Sequence, residues 1–307
     1  MNEALAALVP VFALIALGWI ARRLGWIPAE AWPAANRMGY LLFYPAFLFA
    51  TVAGADFGGT GTIIFLLALL GAFGTASLLL LLARPLLGTD GPAFTSVFQS
   101  GVRWHGFIIV AAAPALWGPE GTALVALAFG PLVAFVNVIC VLVLARWGAG
   151  DVKPGLAGLG RELVRNPLIM GCAAGLVVNL SGLQAHLGLV GDAARILGGA
   201  AMPVALLCVG AALSFEGLGR VPAHLVAGVA AKLLVLPMIA LGWTMLLGLP
   251  PLQAAVAVGV AATPTAAASY MLAREMGGDA PLMAALVSLT TVLAAATMPV
   301  WLTLTAP

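Results

Sequence analysis

Residues 92–118 read PAFTSVFQSGVRWHGFIIVAAAPALWG, and residues 252–274 read LQAAVAVGVAATPTAAASYMLAR. Each stretch is long and apolar enough for a membrane-crossing helix of about 20 residues. Each is also interrupted near its middle. Gln99, Ser100, Gly101, Arg103, His105 and Gly106 break the first; Thr263, Pro264, Thr265 and Ser269 break the second. A mid-helix proline removes one backbone hydrogen bond and frees a carbonyl. In hydrocarbon such an opening survives only where protein groups or a wet cavity satisfy it. Two helices broken at corresponding places in two halves of a chain point to a binding site at the membrane midplane of a transporter. Half-helix N-termini at that depth favour an anion.

The composition fits this reading. Of 307 residues, 63% are hydrophobic and 8% charged, against about 25% charged in ordinary soluble domains. Mean hydropathy is +1.13. A soluble fold could not cover its surface with so few charges, so the chain reads as an all-α integral membrane protein. A net charge of +2 gives no footing for a nucleic-acid partner. Cys140, Cys172 and Cys208 fall inside apolar stretches with no metal or disulfide spacing. The N-terminus enters an apolar span directly after Met1, Asn2 and Glu3, without a basic leader, which reads as a retained first helix.

Cutting at Gly, Pro and charged clusters gives ten spans: 4–24, 36–54, 60–83, 92–116, 121–145, 167–181, 192–214, 222–248, 252–274 and 281–304. With the N-terminus outside, the inner loops carry Arg22, Arg23, Arg37, Arg84, Arg146, Lys153, Arg161, Arg165, Arg220 and Arg274. The outer loops carry Arg195 alone. That asymmetry predicts an inner (plasma) membrane protein with both termini extracytoplasmic. The connection 146–166 is the longest and separates two halves, 1–145 and 167–307; part of it, near 156–165, can lie on the membrane surface.

The halves share a faint register. Arg37, Pro45 and Phe57 align with Arg195, Pro203 and Phe215 at one offset, which also takes Gly106 to Pro264. One residue further, Gly118 meets Gly277 and Glu120 meets Asp279. Because five spans are odd in number, the second half sits inverted, an arrangement common in secondary transporters.

Arg103 and Lys232 are the basic residues inside spans, and all the acids fall at span ends or in loops. Two buried cations without a buried acid suit an anionic cargo. The bland alternative is that each reaches the interface or caps backbone carbonyls. His105, beside the break, either contacts cargo, carries a coupling proton or satisfies a freed carbonyl. Gln99, Ser100, Thr263, Thr265 and Ser269 line the site or join helices to one another. Asn137, Thr290 and Thr291 read as helix–helix contacts, and Pro45 and Pro203 as kinks, with Tyr44 beside the first.

Enzyme signatures are sparse: there is no phosphate loop and no HExxH. Gly148-Ala149-Gly150-Asp151 spells the GxGD of some intramembrane aspartyl proteases, but no second Asp lies within a span to complete a dyad. No cofactor or metal is expected.

RMGYLLFYPAFLFATVA, RWHGFIIVAAAPALWGPEG, NPLIMGCAAGL, AMPVALLCVGAALS, AAKLLVLPMI, ATPTAAASYMLAREMGGD and ALVSLTTVLAAATMPVW follow one another along nearly the whole chain. In order and spacing they resemble the auxin efflux carrier family, in a bacterial version. The resemblance implies ten helices in two inverted repeats, with spans four and nine broken and crossing. It also implies a scaffold of spans 1, 2, 6 and 7, a moving core of spans 3–5 and 8–10, and a homodimer through the scaffold. Family members often carry Asn where this chain has His105. The expected function is elevator-type transport of small organic anions, carboxylates such as malonate or auxin-like acids. The alternatives are a sodium-coupled symporter of the bile-acid type, an intramembrane enzyme and a non-transporting sensor.

Overall fold

The computed structural model describes residues 2–55, 61–150, 158, 160, 161, 164–214 and 223–306. Among them there is no β-strand. The helices are α1 (Asn2–Arg23), α2 (Ala31–Met38), α3 (Tyr44–Ala53), α4 (Gly61–Leu87), α5 (Gly91–Val102), α6 (Gly106–Trp147) and α7 (Pro167–Leu180). After these come α8 (Gly188–Gly199), α9 (Ala201–Ala212), α10 (Ala223–Ala230), α11 (Leu236–Leu246), α12 (Pro251–Ala262), α13 (Ala268–Met276) and α14 (Ala280–Leu304). Among the described residues, six helical stretches are long and apolar enough to cross a membrane: Glu3–Arg23, Gly61–Leu87, Gly91–Trp147, Gly188–Ala212, Ala223–Leu246 and Ala280–Leu304. The shorter Pro167–Leu180 and Pro251–Ala262 are also apolar. This is a multi-pass membrane protein.

Helix ends follow local chemistry. Asp90, Asn166 and Asp279 cap α5, α7 and α14, their side-chain oxygens accepting from Ala93, Leu168 and Leu282 N–H at 2.9 Å each. The gap expected between spans four and five is a single kink at Gly118 (φ 64°, ψ −160°). Gly277, its counterpart in the faint register, also has positive φ, at 72°. Only glycine takes that conformation without cost. The span expected at 192–214 starts earlier, at Gly188, and bends at Ala200, three residues before Pro203.

Two π-helical turns interrupt the helices, Gly39–Phe43 and Ala231–Val235. Each ends two residues before a proline, Pro45 or Pro237. Pro237 has no N–H to give to Leu233 four residues back. The indole Nε1 of Trp301 fills that place, donating to the Leu233 carbonyl at 2.9 Å.

Small residues set the helix spacing. A Cβ on Gly18 or Gly210 would lie 2.1 or 1.8 Å from a carbonyl oxygen of the partner helix where α1 meets α9. Gly171 and Gly175 play the same part where α7 meets α3, against Pro45 and Phe49. Phe65, Phe73, Phe94, Phe98, Ile108 and Ile109 fill the core between these pairs and the broken helices. Phe57, Phe215, Arg220, Lys153, Asp151 and most of the connection before residue 158 lie outside the described residues.

Candidate functional site

The two breaks meet. α5 and α12 are each 12 residues long and each runs into an extended residue, Arg103 (ψ 131°) and Thr263 (ψ 153°). Hydroxyls then close the backbone groups left open, because one hydroxyl can both donate and accept. Thr263 Oγ1 donates to Val260 O at 2.8 Å and accepts from His105 N–H at 3.2 Å. Thr265 Oγ1 donates to Ser100 O at 3.0 Å and lies 3.2 Å from Ser100 Oγ. Thr265 N–H donates to Thr290 Oγ1 at 3.2 Å. All these side chains are buried. Gly106 opens α6 at the crossing, where a Cβ would come within 2.2 Å of the Phe129 ring.

The two cations have different surroundings. Lys232 is fully buried in the second π-turn. Its Nζ donates to Ala261 O at 3.2 Å and stands 5.7 Å from the centre of the Phe73 ring. Ala261 belongs to the last turn of α12, where carbonyls lack helical partners and a cation is favourable. Arg103 instead donates from Nη2 to Asn137 Oδ1 at 2.5 Å. Its Nε, like His105 Nδ1, is buried without a partner. The sole ion pair among the described residues is Arg195 with Asp192, on the surface.

A cavity of about 570 Å3 lies against the first break. Arg103, Trp104, His105, Gly106 and Phe107 form one wall, and Ala266–Ala268, Tyr270 and Met271 continue it along the second break. Asn36, Tyr40 and Tyr44 face them from the second hydrophobic segment, with Asn166 and Leu168 from the start of α7 and Val209 from α9. Arg22 and Glu275, both exposed, also line it. The aromatic wall is continuous: ring centres are 4.1 Å apart for Tyr44–Phe107, 5.5 Å for Phe107–Phe129 and 4.8 Å for Trp104–Phe129.

Of the residues singled out in the sequence, Arg103, His105 and Gly106 line this cavity. Ser100, Thr263 and Thr265 lie in the crossing behind it, and Lys232, in the second π-turn, bonds the end of α12. Gln99 and Ser269 are fully buried; the Gln99 amide and the Ser269 hydroxyl have no partner. Pro264 sits in the non-helical stretch before α13. Asn137, read as a helix–helix contact, both holds Arg103 and reaches the cavity. Asn36, Tyr40, Trp104, Asn166 and Tyr270 line the cavity without a distinct signal in the sequence beyond a polar or aromatic residue at a span end or break.

Residues 156–302 match the family model described as membrane transport protein. Two relatives align along almost the whole chain. One, from Methanothermobacter thermautotrophicus, is named "Uncharacterized transporter" and is 26% identical over 298 residues, 95% of each chain. The other, from Rhizobium meliloti, is named "Putative malonate transporter" and is 28% identical over 311 residues, 97% of this chain and 94% of its own. Over that matched stretch the chain is similar to the membrane transport protein family. The resemblance to auxin efflux carriers drawn from the sequence agrees with this match. In this membrane transporter the matched residues include the second break and Lys232, while Arg103 and His105 belong to the half before it. Among the described residues no group of three His, Cys, Asp or Glu side chains gathers to hold a metal ion.

Proposed function

We propose that this membrane transporter carries small organic anions, carboxylates of the malonate or auxin-like kind, by an elevator movement. The observation that carries the reading is the pairing of Arg103 with His105 on the cavity wall. Both are nearly buried, both keep an unpartnered nitrogen, and no carboxylate in the described residues pairs with Arg103. A guanidinium with spare donors in a water-excluded site is the natural seat for a carboxylate. The malonate named for the Rhizobium meliloti relative fits that chemistry.

The architecture behind this reading is ten spans in two inverted repeats, 1–145 and 167–307 about the connection 146–166. Three features support it. α1 packs on α9 as α7 packs on α3, the exchange that an inverted pair of halves requires. Gly118 and Gly277 share a positive φ at equivalent places. The broken helices meet through hydroxyls at their breaks. The scaffold would be spans 1, 2, 6 and 7, and a second copy would cover its exposed Leu180, Leu189 and Ile196. Spans 3–5 and 8–10 would move as the core. The basic loops put both termini outside the plasma membrane. The cavity then opens inward, since Arg22 and Glu275 line it beside those loops.

In this scheme Arg103 and His105 bind the carboxylate. Gln99, Ser100, Thr263, Thr265 and Ser269 shape the crossing beneath it, and Lys232 adds positive potential from behind. His105 is the candidate carrier of a coupling proton. The test is a thermal shift of purified protein against malonate, other dicarboxylates and indole-3-acetate, with and without sodium, at two pH values. A ligand at 100-fold its Kd stabilises by about 2.7 kcal/mol. A carboxylate shift that disappears in Arg103→Ala is expected. A shift untouched by that substitution, or none from any carboxylate, overturns the assignment.

A further inference from the structure

A second cavity, of about 400 Å3, opens on the surface beside the first. Arg161, Arg165, Asn166 and Pro167 form one wall, and Tyr40 and Leu41 the other. Arg165 N–H donates to Arg161 O at 3.1 Å. That is one helical turn, so the two guanidinium groups leave the same face. Neither has an ion-pair partner among the described residues. The Asn166 side-chain oxygen is spent on capping α7, with Leu168 N–H at 2.9 Å, and Asn166 lines the crevice with an amide nitrogen left to donate. Beside this donor cluster, Leu41 and Leu42 are about half exposed on the outer surface. Two arginines, an amide donor and an adjoining apolar strip match a phosphate that carries hydrocarbon.

We propose that this crevice binds the headgroup phosphate of an anionic phospholipid, with its acyl chains along Leu41 and Leu42. A free phosphate would use the same arginines, but it has no use for the leucines. The site is independent of the cargo reading, yet it touches it: Tyr40 and Asn166 line both cavities. An occupied crevice therefore presses on the wall of the larger cavity at the first π-turn.

The experiment uses the full chain in nanodiscs of phosphatidylcholine, with and without phosphatidylglycerol, read by thermal unfolding and by native mass spectrometry of retained lipid. Phosphatidylglycerol should raise the unfolding temperature and stay bound. Arg161→Gln with Arg165→Gln should weaken retention about 30-fold, since each arginine near an anionic surface is worth about fivefold. Arg23→Gln with Arg37→Gln removes two exposed cations that do not line the crevice, and should leave retention unchanged. Equal loss in both pairs means diffuse attraction and overturns the site. Equal stabilisation of detergent-solubilised protein by inorganic phosphate overturns the lipid assignment. If the Arg161/Arg165 pair does not fold, the single substitutions must each show a partial loss, and full retention in both overturns the proposal.

Discussion

The two broken helices do different work. The break after α5 is Arg103-Trp104-His105: bulky, rich in nitrogen donors and turned to a cavity. The break after α12 is Thr263-Pro264-Thr265, whose hydroxyls are spent on backbone groups of both helices. One break thus forms a wall of the cavity, and the other a clasp that holds the crossing. The difference shows how a membrane protein keeps an opened backbone. One break needs internal hydrogen bonds so that the other can leave its donors unmet. Lys232 belongs with the clasp by contact, since it bonds Ala261 at the end of α12.

That contrast can be broken or sharpened by substitution. Removing the wall should matter most: Arg103→Ala should cut anion flux in proteoliposomes by about 10- to 150-fold, the worth of a charge-assisted hydrogen bond, with little change in unfolding temperature. Loosening the clasp should do the reverse. Thr265→Val leaves Ser100 O without its donor and should cost about 1–3 kcal/mol of stability. Combined with Ser100→Ala it should lose less than the sum, because the two hydroxyls share one network. Additive losses would mean that they act separately. Lys232→Met should fold at least as well as the native chain, since an unpaired buried charge is costly. It should also slow anion flux less than Arg103→Ala does; flux at the native rate would remove Lys232 from the cargo's field. The smallest effect is expected from His105→Asn, which keeps a hydrogen-bonding side chain on the cavity wall and should reduce the carboxylate thermal shift less than Arg103→Ala does. A shift of native size in that variant returns His105 to a structural role.

The positions of both breaks were legible in the sequence, because glycine, proline and polar residues cannot hide in twenty apolar positions. The partition between wall and clasp was not legible. Ser100 and Thr265 are 165 residues apart, and nothing local to either says that they meet. Lys232 read as equal in promise to Arg103, and only the π-turn directs its ammonium to Ala261. Asn137 read as a helix contact because its spacing from Arg103 does not reveal that it both holds the guanidinium and borders the cavity.

The sequence by itself determined that this chain lives in a membrane and where two of its helices fail. Those properties follow from hydropathy, length and backbone chemistry, which act over one or two helical turns. The tertiary structure alone decided which break faces the cavity and which residues are consumed in holding the crossing. It also decided which residues from distant helices, Tyr40, Tyr44, Asn166 and Tyr270, close the chamber. The physical reason is that a side chain's role here depends on which hydrogen-bond partner it finds, and those partners lie tens of residues away along the chain.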